Sequence, residues 1–233
     1  MLASLLDLSR KSVLGRLEES IGYGVITEMF IEHKFLLGRP SFVILPQLSL
    51  PWNPHRPTDL RNNKPDIGFG RLTNTGAPWL QGGAEEKAPI TMMRGLPPPN
   101  EVTEDGDFRD LIQRATAQAS DQVKAAVKNG AVPCDCPIKW VVGCGPYFII
   151  RAFGPYNQDE LTTRLHRPND SGDWLMTDLN REVQTTARVK CIEEPVHLIG
   201  TSKAAEAVHE YLIEGMRLYD PDPKRQYVVP NMK

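Results

Sequence analysis

The chain has 233 residues, enough for one sizeable hydrophobic core without requiring a second. Hydrophobic residues at 40% and charged residues at 24% are ordinary globular usage and exclude wholesale disorder. A net charge of −2 argues against holding nucleic acid mainly by a broad basic surface, although Arg56, Arg61, Lys64, Arg71 and Arg94 could form a local patch. The first ten residues acquire an acid early and lack a long apolar core, and no run approaches the length of a membrane span. An intracellular protein is therefore expected, nucleus and cytoplasm not distinguished, with Cys134, Cys136, Cys144 and Cys191 as free thiols.

Leu2, Leu5, Leu6, Val13, Leu14 and Leu17 recur at helical spacing, and Gly22 and Gly24 interrupt the run. A second helix is expected from Thr27 to Leu37, with Gly38 and Pro40 as stop signals. Residues 41–50 read as a buried strand in which Pro46 signals an edge or bulge and Pro51 an end. The polar segment 52–63 reads as a loop that delivers the chain to a strand at Asp66. Residues 73–78 form a strong turn signal, so the strands around Asp66 and Glu85 are expected to make an antiparallel hairpin, with Met92 and Met93 extending it. Gly82 and Gly83 should weaken its second strand.

Leu96 to Asn100 is a rigid connector, and 101–107 an acidic loop ending in an N-cap. From Phe108, the positions Leu111, Ile112, Ala115, Ala119, Val123, Ala126 and Val127 keep one helical face, which Asn129-Gly130 closes. Residues 138–144 and 147–153 flank Gly145-Pro146 as a strand pair buried on both faces. Residues 154–182 read as an insertion or a partner-facing loop. Ala204, Ala205, Val208, Leu212, Ile213 and Met216 build a last helix, begun by Thr201 or Ser202, before a loosely packed tail at 220–233. The expectation is an α/β protein with one domain over 1–219.

Within the hairpin, Pro65-Asp66 is followed after 18 residues by Glu85-Glu86-Lys87. Alternate side chains of a strand share a face, so Glu85 and Lys87 project to one side and Ala84, Glu86 and Ala88 to the other. If Asp66 reaches the same edge, two carboxylates and an ammonium converge, a setting that suits a hard divalent cation. Without a cation the two carboxylates repel and one pKa rises. Glu32-His33-Lys34 and Asp222-Pro223-Lys224 also satisfy an acid-any-lysine pattern. The former falls in a helix, where residues two apart do not share a face, and the latter among prolines.

Pro65-Asp66 with Glu85-Glu86-Lys87 resembles the signature of the PD-(D/E)XK nuclease superfamily, the restriction-endonuclease-like fold. The element order fits its αβββαβ core, a central mixed sheet flanked by helices, over about 25–153 and here with terminal helical additions. The proline-rich link and long glutamine-bearing helix are similar to members from fungal genomes. The resemblance implies a Mg²⁺-dependent nuclease acting on DNA, with Mn²⁺ as a substitute. Asp66 and Glu85 would be metal ligands, the carbonyl of Glu86 a third, and Lys87 would orient or deprotonate the attacking water. Many members carry a further ligand on the helix before the first strand, for which Glu28 is the candidate and Glu19 and Glu32 competitors. Some place a glutamine on the later helix with a tyrosine four residues on. Gln113, Gln118 and Gln122 are candidates, but Ala126 stands where a tyrosine after Gln122 would be.

Two other readings stay open: an inactive version of the fold that binds protein or nucleic acid, and an assembly subunit that docks a partner through 154–182. A protein partner or a homodimer is compatible with either, and no membrane is expected. Cys134-Asp135-Cys136 lacks zinc-ligand spacing, the five histidines form no metal motif, and no Walker loop or dinucleotide fingerprint occurs.

Overall fold

The computed structural model describes residues 24, 26–31, 43–51, 62–63, 65–72, 78–87, 96–132, 136–156, 161 and 192–218. The helix expected over 1–20, the end of the second helix, the turn at 73–77, Met92 and Met93, most of 154–182 and the tail lie outside the described residues.

Strands β1 (Val43–Pro46), β4 (Ile67–Leu72), β5 (Pro78–Lys87), β6 (Ile138–Cys144), β7 (Tyr147–Phe153) and β8 (His197–Leu198) form one mixed sheet in the order β1-β4-β5-β6-β7-β8. Two further short strands, β2 (Leu50–Pro51) and β3 (Asn62–Asn63), pair as a separate antiparallel ribbon. Every neighbouring pair of the main sheet is antiparallel except β5 and β6. A parallel pair cannot be closed by a tight turn and needs a long crossover. Helix α3 (Gly106–Lys128), preceded by the single turn α2 (Pro99–Val102), provides it. A short helical segment at 26–31 (α1) precedes the sheet and α4 (Ser202–Leu218) ends the described chain. The chain is thus an α/β protein with a six-stranded mixed sheet, and among the described residues no helix is long and apolar enough to cross a membrane.

Each face of the sheet has its own core. On one, α3 lays Phe108, Ile112, Ala115, Ala119, Val123 and Ala126 against Leu80, Ile138, Trp140, Val142, Cys144 and Tyr147. On the other, α1 and α4 bring Ile26, Met29, Phe30, Val208, Tyr211 and Leu212 to Ile67, Phe69, Ala84, Val141 and Phe148. Simple alternation would put Leu80 and Ala84 on one face. A register shift at Phe69/Gly70 leaves Gln81 as an extra residue between the Gly70↔Leu80 and Phe69↔Gly82 pairs. That bulge turns Leu80 to the α3 side while Ala84 keeps to the α4 side.

Several expectations shift. The strand expected over 41–50 is a half-buried edge strand that ends at Pro46, after which Gln47 adopts a φ of 52° and turns the chain towards the β2–β3 ribbon. Helix α3 is capped by Asp105 and not at 107: the Asp105 side chain accepts the Phe108 N–H at 2.9 Å, and Asp107 lies in the first turn, where its charge favours the helix dipole. At its other end Gly130 takes a φ of 65° and the Ala131 N–H donates to the Ala126 carbonyl at 2.9 Å, which closes the helix as Asn129-Gly130 suggests. Of the two candidate caps for α4, Thr201 serves, its hydroxyl accepting the Ala204 N–H at 3.2 Å. Asp105→Ala is expected to lower stability by about 1 kcal/mol, read as a reduced denaturant midpoint with an unchanged m-value.

Candidate active site

The register of the β4–β5 hairpin decides where the acidic residues go. Ile67 stands opposite Ala84, and both pack on the α4 side. One step on, Glu85 therefore turns to the α3 side, with Lys87 two residues further on the same side, while Asp66 stands at the entry to β4 with its carboxylate against the Glu86 N–H. Asp66 and Glu85 are both buried, and their charges raise one another's cost. Lys87 Nζ lies 2.6 Å from Glu85 Oε1 and is the most open of the three. Lys87 thus meets Glu85 directly, and Asp66 is near enough for its charge to act on Glu85.

Donors hold these groups in place. Asp66 Oδ2 accepts the backbone N–H of Glu86 at 2.7 Å, and Gln47 Nε2 donates to Asp66 Oδ1 at 3.3 Å. Glu85 Oε2 accepts from the Gln122 amide of α3, and the Gln122 carbonyl oxygen accepts the Trp140 indole N–H at 3.2 Å. Burial pushes the Glu85 carboxyl up to about 7; Lys87 opposes that rise and the Asp66 charge adds to it. Of the candidate glutamines, Gln122 is the one tied to Glu85, and sequence reasoning missed Trp140 altogether. An apolar strand residue gives no sign that its N–H will meet a helix amide.

Gly83 explains how Trp140 gets there. A Cβ on Gly83 would overlap the indole ring, so the bare backbone of β5 is what lets Trp140 lie against it. On the opposite side the Tyr211 hydroxyl bonds the Gly83 N–H and carbonyl at 3.2 and 3.1 Å and the Lys139 carbonyl at 3.2 Å. It satisfies backbone groups where the β5–β6 ladder, which begins at Ala84↔Val141, has not yet started. The two glycines expected to weaken β5 are therefore the places where Trp140 and Tyr211 seat. Gly83→Ala is expected to destabilise the fold by about 1–3 kcal/mol through overpacking, checked by thermal unfolding.

Glu86 points the other way, as alternation requires. Its carboxylate packs beside Gly143, where a Cβ would collide with Oε2, and near Ile26. Among the described residues neither of its oxygens has a hydrogen-bond partner of good geometry: the Gly145 N–H donates to the Lys87 carbonyl at 3.0 Å and only weakly favours the Glu86 charge. Burial, reinforced by the Asp66 charge, lifts the Glu86 carboxyl well above the ordinary range. Its side chain thus stands apart from the cluster; the expectation for Glu86 concerns its carbonyl. Glu28 is exposed on α1, whose Ile26, Met29 and Phe30 pack on the α4 side. Of the basic patch, Arg71 is half-buried on β4, and Arg56, Arg61, Lys64 and Arg94 lie outside the described residues.

Among the described residues no group of three or more His, Cys, Asp or Glu side chains forms a ready metal cage. The donor set is two hard carboxylates, which suits Mg²⁺, since that ion keeps several waters and takes one or two carboxylates from protein. Cys136 and Cys144 are free thiols, and burial pushes the Cys144 thiol up, which suits a packing role. Comparison with protein-family models, with curated proteins and with solved structures finds no match to this chain.

Proposed function

We propose that the chain is a Mg²⁺-dependent nuclease of the PD-(D/E)XK kind that hydrolyses phosphodiester bonds in DNA. The observation that carries this reading is a buried Asp66 whose Oδ2 takes the N–H next to Glu85, at 2.7 Å from Glu86 N, with Lys87 Nζ 2.6 Å from Glu85 Oε1. The path through α1, β1, β4, β5, α3 and β6 supports it, because that order and the parallel β5–β6 pair fit an αβββαβ core.

Asp66 and Glu85 would hold the ion, with the Glu86 carbonyl as a further oxygen. When bound, Mg²⁺ supplies Lewis-acid stabilisation of charge that develops on the phosphoryl group and the leaving oxygen. Burial of the two carboxylates keeps water from weakening their field. The Lys87 side chain, 18% exposed, can meet the substrate. Its ammonium orients a water towards phosphorus and opposes the added negative charge there. Gln122 and Lys87 together fix both oxygens of Glu85 before substrate arrives.

The test is cleavage of supercoiled plasmid and of single-stranded DNA by the full chain. Cleavage with Mg²⁺ or Mn²⁺ that EDTA abolishes is expected. No cleavage with either ion, or cleavage that EDTA leaves intact, contradicts the proposal. A second reading, an inactive version of the fold that binds nucleic acid or protein, is favoured by one observation: protein donors already meet both oxygens of Glu85 and both of Asp66. That protein binds DNA equally well with and without metal and cuts none.

A further inference from the structure

Trp140 is fully buried on β6, yet its one polar atom is spent on a side-chain amide. The two ends of a glutamine amide are nearly equal in size and opposite in hydrogen-bonding sense. Which end faces Glu85 decides whether that carboxylate meets a donor or a second acceptor. An indole N–H can only donate, so Trp140 fixes Gln122 Oε1 on its own side at 3.2 Å and leaves Nε2 for Glu85 Oε2. Lys87 Nζ holds the other Glu85 oxygen at 2.6 Å. The indole is in turn seated on the bare backbone of Gly83, two residues before Glu85 on the same strand. The connection therefore runs from β5 through β6 and α3 and back to β5.

We propose that Trp140 is a positioning residue of the site: acting through Gln122, it sets the orientation in which Glu85 faces the cation, and Gln122 serves as a donor to that carboxylate and not as an oxygen ligand. The cation half of this inference rests on the nuclease reading; the amide half rests on hydrogen-bond geometry alone. A flipped Gln122 would turn its carbonyl on Glu85 Oε2, two acceptors face to face, and drive the carboxylate from its place.

The experiment combines NMR of the ¹⁵N-labelled full chain with Mn²⁺ calorimetry on wild type, Trp140→Phe, Gln122→Met and the double variant. In Trp140→Phe, the Gln122 side-chain NH₂ pair, assigned by its loss in Gln122→Met, is expected to move towards the shifts of a solvated amide. The Mn²⁺ Kd is expected to rise about tenfold in Trp140→Phe. In the Gln122→Met background the same change is expected to add less than about twofold, because the intermediary is already gone. Unchanged Gln122 signals in Trp140→Phe overturn the inference, and so does an equal loss of Mn²⁺ affinity in both backgrounds, which would mark a packing effect. If Trp140→Phe does not fold, the Trp140 indole N–H resonance still decides: an upfield shift in Gln122→Met is expected, and no shift refutes the hydrogen bond. A wild-type protein that binds no Mn²⁺ overturns the nuclease reading and the cation half together, while the NH₂ signals still report separately on the amide half.

Discussion

Asp66→Asn is expected to lower Mg²⁺-dependent DNA cleavage by at least about 100-fold, since changes that touch only the neighbours of a metal ligand already cost up to that much. The substitution is close to isosteric, and an asparagine carbonyl can still accept the Glu86 N–H that Asp66 takes at 2.7 Å. Fold and stability should therefore survive, which far-UV circular dichroism and denaturant unfolding check. Lys87→Ala is expected to lose about 10²–10³-fold in kcat, the usual effect of removing one group that stabilises developing charge. It should retain Mn²⁺ binding, whereas Asp66→Asn should lose it. That contrast separates a ligand from a residue that acts on the substrate. Wild-type cleavage rates in either variant would mean that the chemistry lies elsewhere.

Glu86→Gln is expected to make the metal-free protein more stable by roughly 1–3 kcal/mol at pH 8, the cost of holding a buried carboxyl protonated about one or two pH units above the value at which the unfolded chain ionises it. The folded protein holds the Glu86 carboxyl well above its ordinary pKa of 4.5, chiefly by burial. Below the unfolded value both states are protonated and the group contributes no penalty. As pH rises above it, the unfolded chain releases the proton and the folded chain keeps it, so stability falls until the folded pKa is passed. Glu85, lifted to about 7, adds a decline of the same sign from 4.5 upward. The variant should therefore match wild type near pH 4 and gain on it steadily towards pH 8, in denaturant titrations run in EDTA. Parallel curves across that range would show that Glu86 is ionised in the folded protein at no cost.

Strand pairing around the site was legible in the sequence because it depends on short-range chemistry. The turn signal at 73–78 and the alternation along Glu85 and Lys87 lead to the antiparallel β4–β5 register and to the shared face of Glu85 and Lys87. Helix α3 and the β6–β7 pair follow from periodicity and from Gly145-Pro146, and their observed limits agree closely with the expected ones. Strands β2, β3 and β8 were not legible. Each has two residues, too few for a pattern, and only distant partners define them. Gly82 and Gly83 were misjudged for a related reason: propensity counts a glycine against a strand, whereas here tertiary packing needs the space that a missing Cβ leaves. The Gln122–Trp140 bond joins a helix to a strand 18 positions on and carries no local signal.

The site is tested most directly by the anomalous scattering of a crystal of the full chain soaked in Mn²⁺. A peak beside the carboxylates of Asp66 and Glu85 is expected, lost in Asp66→Asn crystals treated alike. A peak elsewhere, or none with both carboxylates still held by Glu86, Lys87 and Gln122 as they are here, would contradict it.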